Sequence, residues 1–117
     1  QFSVMLELAP KTDRIQAALN YARQNLKSAL SVEELASAAN LSPRQFSRVF
    51  HAETGQPPAK AIERLRVESA RLMMETGRHS IDVVATDTGF GDRERMRRAF
   101  IRAFGQPPQV IQRASRG

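Results

Sequence analysis

Five arginines fall within ten positions of one another, at Arg93, Arg95, Arg97, Arg98 and Arg102, and Glu94 is the one acid among them. A solvated surface mixes both signs, and a run this basic repels itself unless an anion answers it. A guanidinium can fork onto phosphate or onto the O6 and N7 of guanine, and a glutamate can accept from the cytosine amino group. A smaller set, Arg44, Ser47, Arg48 and His51, falls on the face opposite Phe46, Val49 and Phe50, whose i, i+3, i+4 spacing marks a helix with one apolar side. The net charge of +6 favours the same kind of partner, a polyanion, of which double-stranded DNA is one.

Other chemistry finds little support. The chain has no cysteine, so disulfides and thiol catalysis are excluded. Glu33 and Glu34 could suggest an acid–base pair, but a capping box from Ser31 to Glu34 accounts for both. His51 and His79 are scattered, neither has a companion at metal-ligand spacing, and there is no glycine-rich phosphate loop. No enzyme activity, cofactor or metal is expected. The six phenylalanines and one tyrosine fall mostly on apolar faces, which argues against stacking of single-stranded RNA bases. No apolar run approaches the ~20 residues of a membrane span, and a cytoplasmic, nucleoid-associated location is expected.

The basic residues sit on elements that repeat. The segment Ser31 to Leu41 has a partner in Ser80 to Phe90, and each is followed by a tight turn, a second helix and the stop Gly-Gln-Pro-Pro, at 55–58 and again at 105–108. Arg48 aligns with Arg98, Phe50 with Phe100 and Phe46 with Met96, with Gly91 as one extra residue in the second turn. In the first copy Ser42 can cap, Pro43 suits the first helical position and Gln45 completes a capping box. In the second, Asp92 can cap, and Met96, Ala99, Phe100, Ala103 and Phe104 form the expected core face. Each copy reads as a helix-turn-helix unit, with recognition helices at about 43–54 and 93–104. Asp13 opens a packing helix expected to run to about Ser28. A helix from Ala59 to Thr76, on the order of 27 Å long, joins the copies. Its Ile62, Leu65, Ala70, Leu72, Met73 and Met74 are expected at apolar positions, and Arg64, Arg66 and Arg71 alternate with acids as a solvated pattern. Pro107 is expected to open a last short helix.

With these residues in view the chain resembles the DNA-binding domain of the AraC/XylS family of bacterial transcription regulators. The resemblance rests on Ala36 and Ala85 in the two first helices, the Gly89-Phe90 turn, the Phe-x-Arg-x-Phe pattern from Phe46 to Phe50 and the two Gly-x-Pro-Pro stops. It covers about Ile15 to Arg113. The wording from Gly89 to Phe100 is most similar to the subgroup with an amidotransferase-like (DJ-1/PfpI) domain ahead of the DNA-binding part. The resemblance implies that Arg44, Ser47, Arg48, Glu94, Arg95 and Arg98 face bases, with Arg93 and Arg97 at the border. Arg44, Arg95 and Arg98 are the strongest candidates for bases. Arg102 is expected as a phosphate clamp or surface charge, and His51 as at most a phosphate contact. RNA polymerase and an N-terminal sensing domain of the same parent chain are implied as further partners, and activation as a role. One departure is the arginine-rich stretch Arg93 to Arg98, where the family commonly has a more mixed polar set.

The expected architecture is therefore all-α, about seven helices, in two helix-turn-helix subdomains at 13–58 and 77–117 with a linker helix at 59–76. Residues 1–12 are expected to be a linker or tail from a missing N-terminal domain. The rival reading is a protein-interaction module that contacts RNA polymerase or an effector domain and has only non-specific nucleic-acid affinity.

Overall fold

A computed structural model describes residues 13–116, and the tail expected at 1–12 lies outside the described residues. The described residues form seven helices and no strand: α1 (Asp13–Gln24), α2 (Val32–Ala38), α3 (Pro43–Thr54), α4 (Pro58–Thr76), α5 (Ile81–Asp87), α6 (Arg93–Phe104) and α7 (Pro108–Arg116). They divide into two compact units. The first holds residues 13–25 and 29–62, and the second holds 26–28 and everything described from 63 onward.

In the first unit α1 buries Ile15, Ala18, Leu19 and Ala22, a stripe at helical spacing, and packs on α2. α2 buries Leu35 and Ala36 and packs on α3, which buries Phe46 and Phe50 with ring centroids 5.5 Å apart. Ala61 and Ile62, from the first turns of α4, are also buried. Each large apolar side chain removed from water contributes about 1.5–3 kcal/mol, so the phenylalanines dominate this small core. Ser31 caps α2 through the full box: its hydroxyl accepts from the Glu34 N–H at 3.1 Å, and Glu34 Oε1 accepts from the Ser31 N–H at 3.1 Å. The other Glu34 oxygen accepts from the Tyr21 hydroxyl at 3.1 Å, which ties α1 to the start of α2. This bond, more than desolvation, pushes the Tyr21 phenol pKa up.

α1 ends at Gln24, earlier than the expected Ser28. The Asn25 N–H turns back to the Ala22 carbonyl at 3.1 Å, and the Asn25 side chain donates to the Tyr21 carbonyl at 2.8 Å. The backbone that follows is used elsewhere. Arg66 Nη2 donates to the Leu26 carbonyl at 3.2 Å and to the Ser28 carbonyl at 2.8 Å, so residues 26–28 belong to the second unit. Arg66 is thus not one of the solvated charges of α4. Its guanidinium is half-buried, and burial pushes its pKa down.

The second core gathers Val67, Ala70 and Met74 of α4, Val84 and Ala85 of α5, Phe90 of the turn, and Met96, Ala99 and Phe100 of α6. Met73, Ile81, Phe104 and Ile111 close its margin. Two apolar expectations fail here. Leu72 is 66% exposed, because Ala70, Met73 and Met74 define the inward face and Leu72 lies about 100° round the helix from its neighbours. Ala103 is exposed at the end of α6, where Phe104 alone turns partly inward and stacks edge-on to Phe100 at 5.3 Å.

The helix starts differ slightly from the sequence reading. α4 begins at Pro58 and α7 at Pro108, with the carbonyls of Pro57 and Pro107 accepting the first backbone bonds. α5 is capped by Ser80, whose hydroxyl accepts from the Val83 N–H at 3.2 Å. Thr88 is its C-cap, and Gly89 follows with φ +89°. That conformation, and the crowding of Gly89 against the Leu26 carbonyl and the Arg66 side chain, leave no room for a Cβ.

Candidate nucleic-acid interface

α3 is fixed at both ends. The Ser42 hydroxyl accepts from the Gln45 N–H at 3.2 Å, and Gln45 Oε1 accepts from the Ser42 N–H at 3.1 Å, with Pro43 at the first helical position. Gly55 closes the other end with φ +79°, its N–H donating to the His51 carbonyl at 2.9 Å. The two buried phenylalanines set the rotation of the helix. Arg44, Arg48 and His51 consequently face solvent, Ser47 is partly covered, and Val49 is only half-buried at the border. Among the described residues no ion pair engages Arg44 or Arg48, so both guanidiniums keep their donors for an outside acceptor.

α6 is built to the same plan. Asp92 caps it, accepting from the Arg95 N–H at 2.8 Å, and Gly105 ends it with φ +75°. Met96, Ala99 and Phe100 are buried, and Arg93, Glu94, Arg95, Arg97, Arg98 and Arg102 are all exposed. Here, however, every arginine has a carboxylate beside it. Arg93 holds both oxygens of Asp82, at 2.8 and 3.0 Å. Arg95 lies 3.8 Å from Asp92. Arg97 and Arg98 share one oxygen of Glu94, at 3.6 and 3.2 Å. Arg102 holds both oxygens of Glu63 on α4, at 3.1 and 3.2 Å. Hydrogen bonding from Arg93 keeps the Asp82 carboxyl below the usual carboxylate range, and the same bond raises the Arg93 guanidinium.

The structure therefore gathers the sequence-identified residues into two faces, one on α3 and one on α6. Within the second face it separates Arg93 and Arg102, each held two-pronged by a residue of another helix, from Arg95, Arg97 and Arg98, paired only within their own helix or its cap. Asp82 and Glu63 belong to this arrangement, whereas the sequence reading puts Asp82 at a helix start and Glu63 among the solvated charges of the linker helix. Asp82 lies 11 positions from Arg93 and Glu63 lies 39 from Arg102, so no local spacing could have linked them. His79 lies in the loop before α5, where its carbonyl accepts from the Gln112 side chain at 3.1 Å. Among the described residues no cluster of histidine and acidic side chains could hold a metal, and no helix is long and apolar enough to cross a membrane.

Comparison with known proteins follows the same outline. The profile of a helix-turn-helix domain matches residues 35–114. The HTH-type transcriptional regulator Rv1931c of Mycobacterium tuberculosis is 42% identical over 83 residues, 71% of this chain and 32% of its own length. The HTH-type transcriptional activator RhaS of Pectobacterium carotovorum is 29% identical over 97 residues, 83% of this chain and 35% of its own. The chain thus spans about a third of the length of these curated relatives. Among solved structures, the DNA-binding domain of AdpA, a global transcriptional factor, in complex with a target DNA, superposes with a TM-score of 0.82 and 32% identity, over 90% of this chain and 95% of that one. An AraC-type regulator from Chromobacterium violaceum has the same fold, with a TM-score of 0.82 at 22% identity over 88% and 92% of the two chains.

Proposed function

Because the chain belongs to the AraC/XylS-type family of helix-turn-helix domains, we propose that it is the sequence-specific DNA-binding part of a bacterial transcription regulator, with α3 and α6 each reading a major groove. The observation that carries this reading is the pair of recognition helices. Each is capped, buried along one side, arginine-bearing along the other, and preceded by a short helix and a tight turn. Support from outside the chain is its likeness to a domain crystallised on its target DNA.

In this reading Arg44, Arg95 and Arg98 fork onto guanines, Arg48 and Ser47 flank the first groove, and Glu94 accepts from cytosine. Helix N-termini and the remaining arginines, with His51, position the backbone phosphates. The two reader sets differ, so the site is asymmetric and covers two successive grooves, roughly twenty base pairs. An N-terminal sensing domain and a contact with RNA polymerase complete the regulator. The Gly89 to Phe100 wording supports an amidotransferase-like (DJ-1/PfpI) sensing domain.

Selection of bound sequences from a random duplex pool, at ~150 mM salt to suppress phosphate-only binding, tests the proposal. The expected result is an asymmetric motif in two blocks about one helical turn apart. Absence of enrichment, with binding that vanishes at that salt, overturns it and favours an interaction module with only non-specific affinity.

A further inference from the structure

The two recognition faces differ in a way that arginine content conceals. α3 carries fewer arginines, and Arg44 and Arg48 have no ion-pair partner among the described residues. α6 carries five, and Asp82, Asp92, Glu94 and Glu63 lie against all of them. Four carboxylates against five guanidiniums leave this face with little net charge. Glu94 sits at its centre. Its Oε2 alone lies within 3.6 Å of Arg97 and 3.2 Å of Arg98, one turn further along the same exposed surface.

We propose that Glu94 is a specificity filter for α6, an inference that rests on the DNA-binding reading above. An arginine that approaches a phosphate here brings Glu94 with it, and the carboxylate repels the backbone. On an unrelated duplex Arg97 and Arg98 therefore gain little by leaving Glu94. On the right sequence a cytosine amino group takes the place of the guanidiniums at Glu94, and Arg98 is released towards a guanine. The pairs are solvent-exposed, with Arg98 62% and Glu94 53% accessible, so the exchange needs no rearrangement of the core. Glu94 thus withholds affinity from phosphate and restores it only against a matching base edge.

The test compares the unaltered chain with Glu94→Gln and with Glu75→Gln. Glu75 pairs with Arg71 on α4 at 3.0 Å, so its substitution changes net charge equally but removes none of the carboxylates that lie against the α6 arginines. Affinity for a random-sequence duplex and for the selected duplex is measured across a salt series. Glu94→Gln is expected to raise random-duplex affinity about 3–10-fold at ~100 mM salt and to steepen the logarithmic salt slope by about one to two. The ratio of selected to random affinity is expected to fall about tenfold or more, while Glu75→Gln changes that ratio less than about twofold. Equal behaviour of the two variants overturns the filter and leaves the DNA-binding reading standing. Failure of the unaltered chain to bind either duplex overturns that reading, and the filter falls with it.

Discussion

At Gly89 the backbone takes φ +89° where the Leu26 carbonyl and the Arg66 side chain crowd the position a Cβ would fill. At Gly55 φ is +79° and nothing lies nearby. Substitution by alanine separates conformational strain from collision. Gly55→Ala is expected to cost about 1–2 kcal/mol, the penalty of a left-handed backbone. Gly89→Ala is expected to cost ~3 kcal/mol or more, because a backbone carbonyl cannot move aside as a flexible side chain can. Urea unfolding of both variants checks this, and equal losses would mean that the space beside Gly89 is open. Tyr21 provides a second residue-level reading, since it is the only tyrosine. Its bond to Glu34 favours the protonated phenol, so the ultraviolet absorbance midpoint of the folded protein should lie above the free value of about 10. The folded pKa is raised, so this contribution to stability is complete below about pH 10 and is lost as pH rises through the folded midpoint. A midpoint at or below the free value would mean that the hydroxyl is not held. The glycine at 89 was legible as a turn residue from its type. The reason it tolerates no substitute was not, because Leu26 and Arg66 are remote in sequence and a carbonyl leaves no mark on residue identity.

Among elements, the repeat made most of the fold legible. Ser31, Ser42 and Asp92 are side chains that announce a helix start, and each caps where the sequence placed it. The apolar spacing of Phe46 with Phe50, and of Met96 with Ala99 and Phe100, gave the rotation of both recognition helices before any coordinate was known. Local pattern failed where tertiary contact decides. Residues 25–28 look helical, but the Leu26 and Ser28 carbonyls accept from Arg66, and Leu72 looks like core but falls off the buried stripe of α4. On the two arginine-bearing faces the same limit held: the arginines were visible, and the pairing of two of them with Asp82 and Glu63 was not. The caps also predict how stable α3 is. Ser42→Ala removes one half of a reciprocal pair at an exposed helix start and is expected to cost about 1 kcal/mol, whereas Ser42→Asn should cost only a fraction of that. Thermal or denaturant unfolding monitored by helical circular dichroism decides, and an alanine variant as stable as the parent would show that Pro43 alone fixes the start of α3.

For the whole molecule, the proposed reading, with two reading helices in one chain, makes length of contact rather than dimerisation the determinant of the span of the site. Protection of DNA from cleavage should extend over about two helical turns for a single bound chain. Replacing Arg95 and Arg98 together by alanine should erase protection in one of the two blocks and spare the other. Protection confined to one turn in the unaltered chain would leave one copy of the repeat as a purely architectural element. The interleaving of the units has a separate consequence, for recombination and protein engineering. Residues 26–28 precede α2 in sequence yet pack with what comes after residue 62. No single crossover point therefore separates the halves cleanly. A chimera that keeps one parent up to 62 and takes another from 63 onward pairs a foreign Arg66 and Gly89 with the resident 26–28 backbone. Because those contacts run to the Leu26 and Ser28 carbonyls, which every residue type carries, such exchanges stay compatible as long as the resident segment keeps its backbone path and the incoming half keeps Arg66 and a glycine at 89.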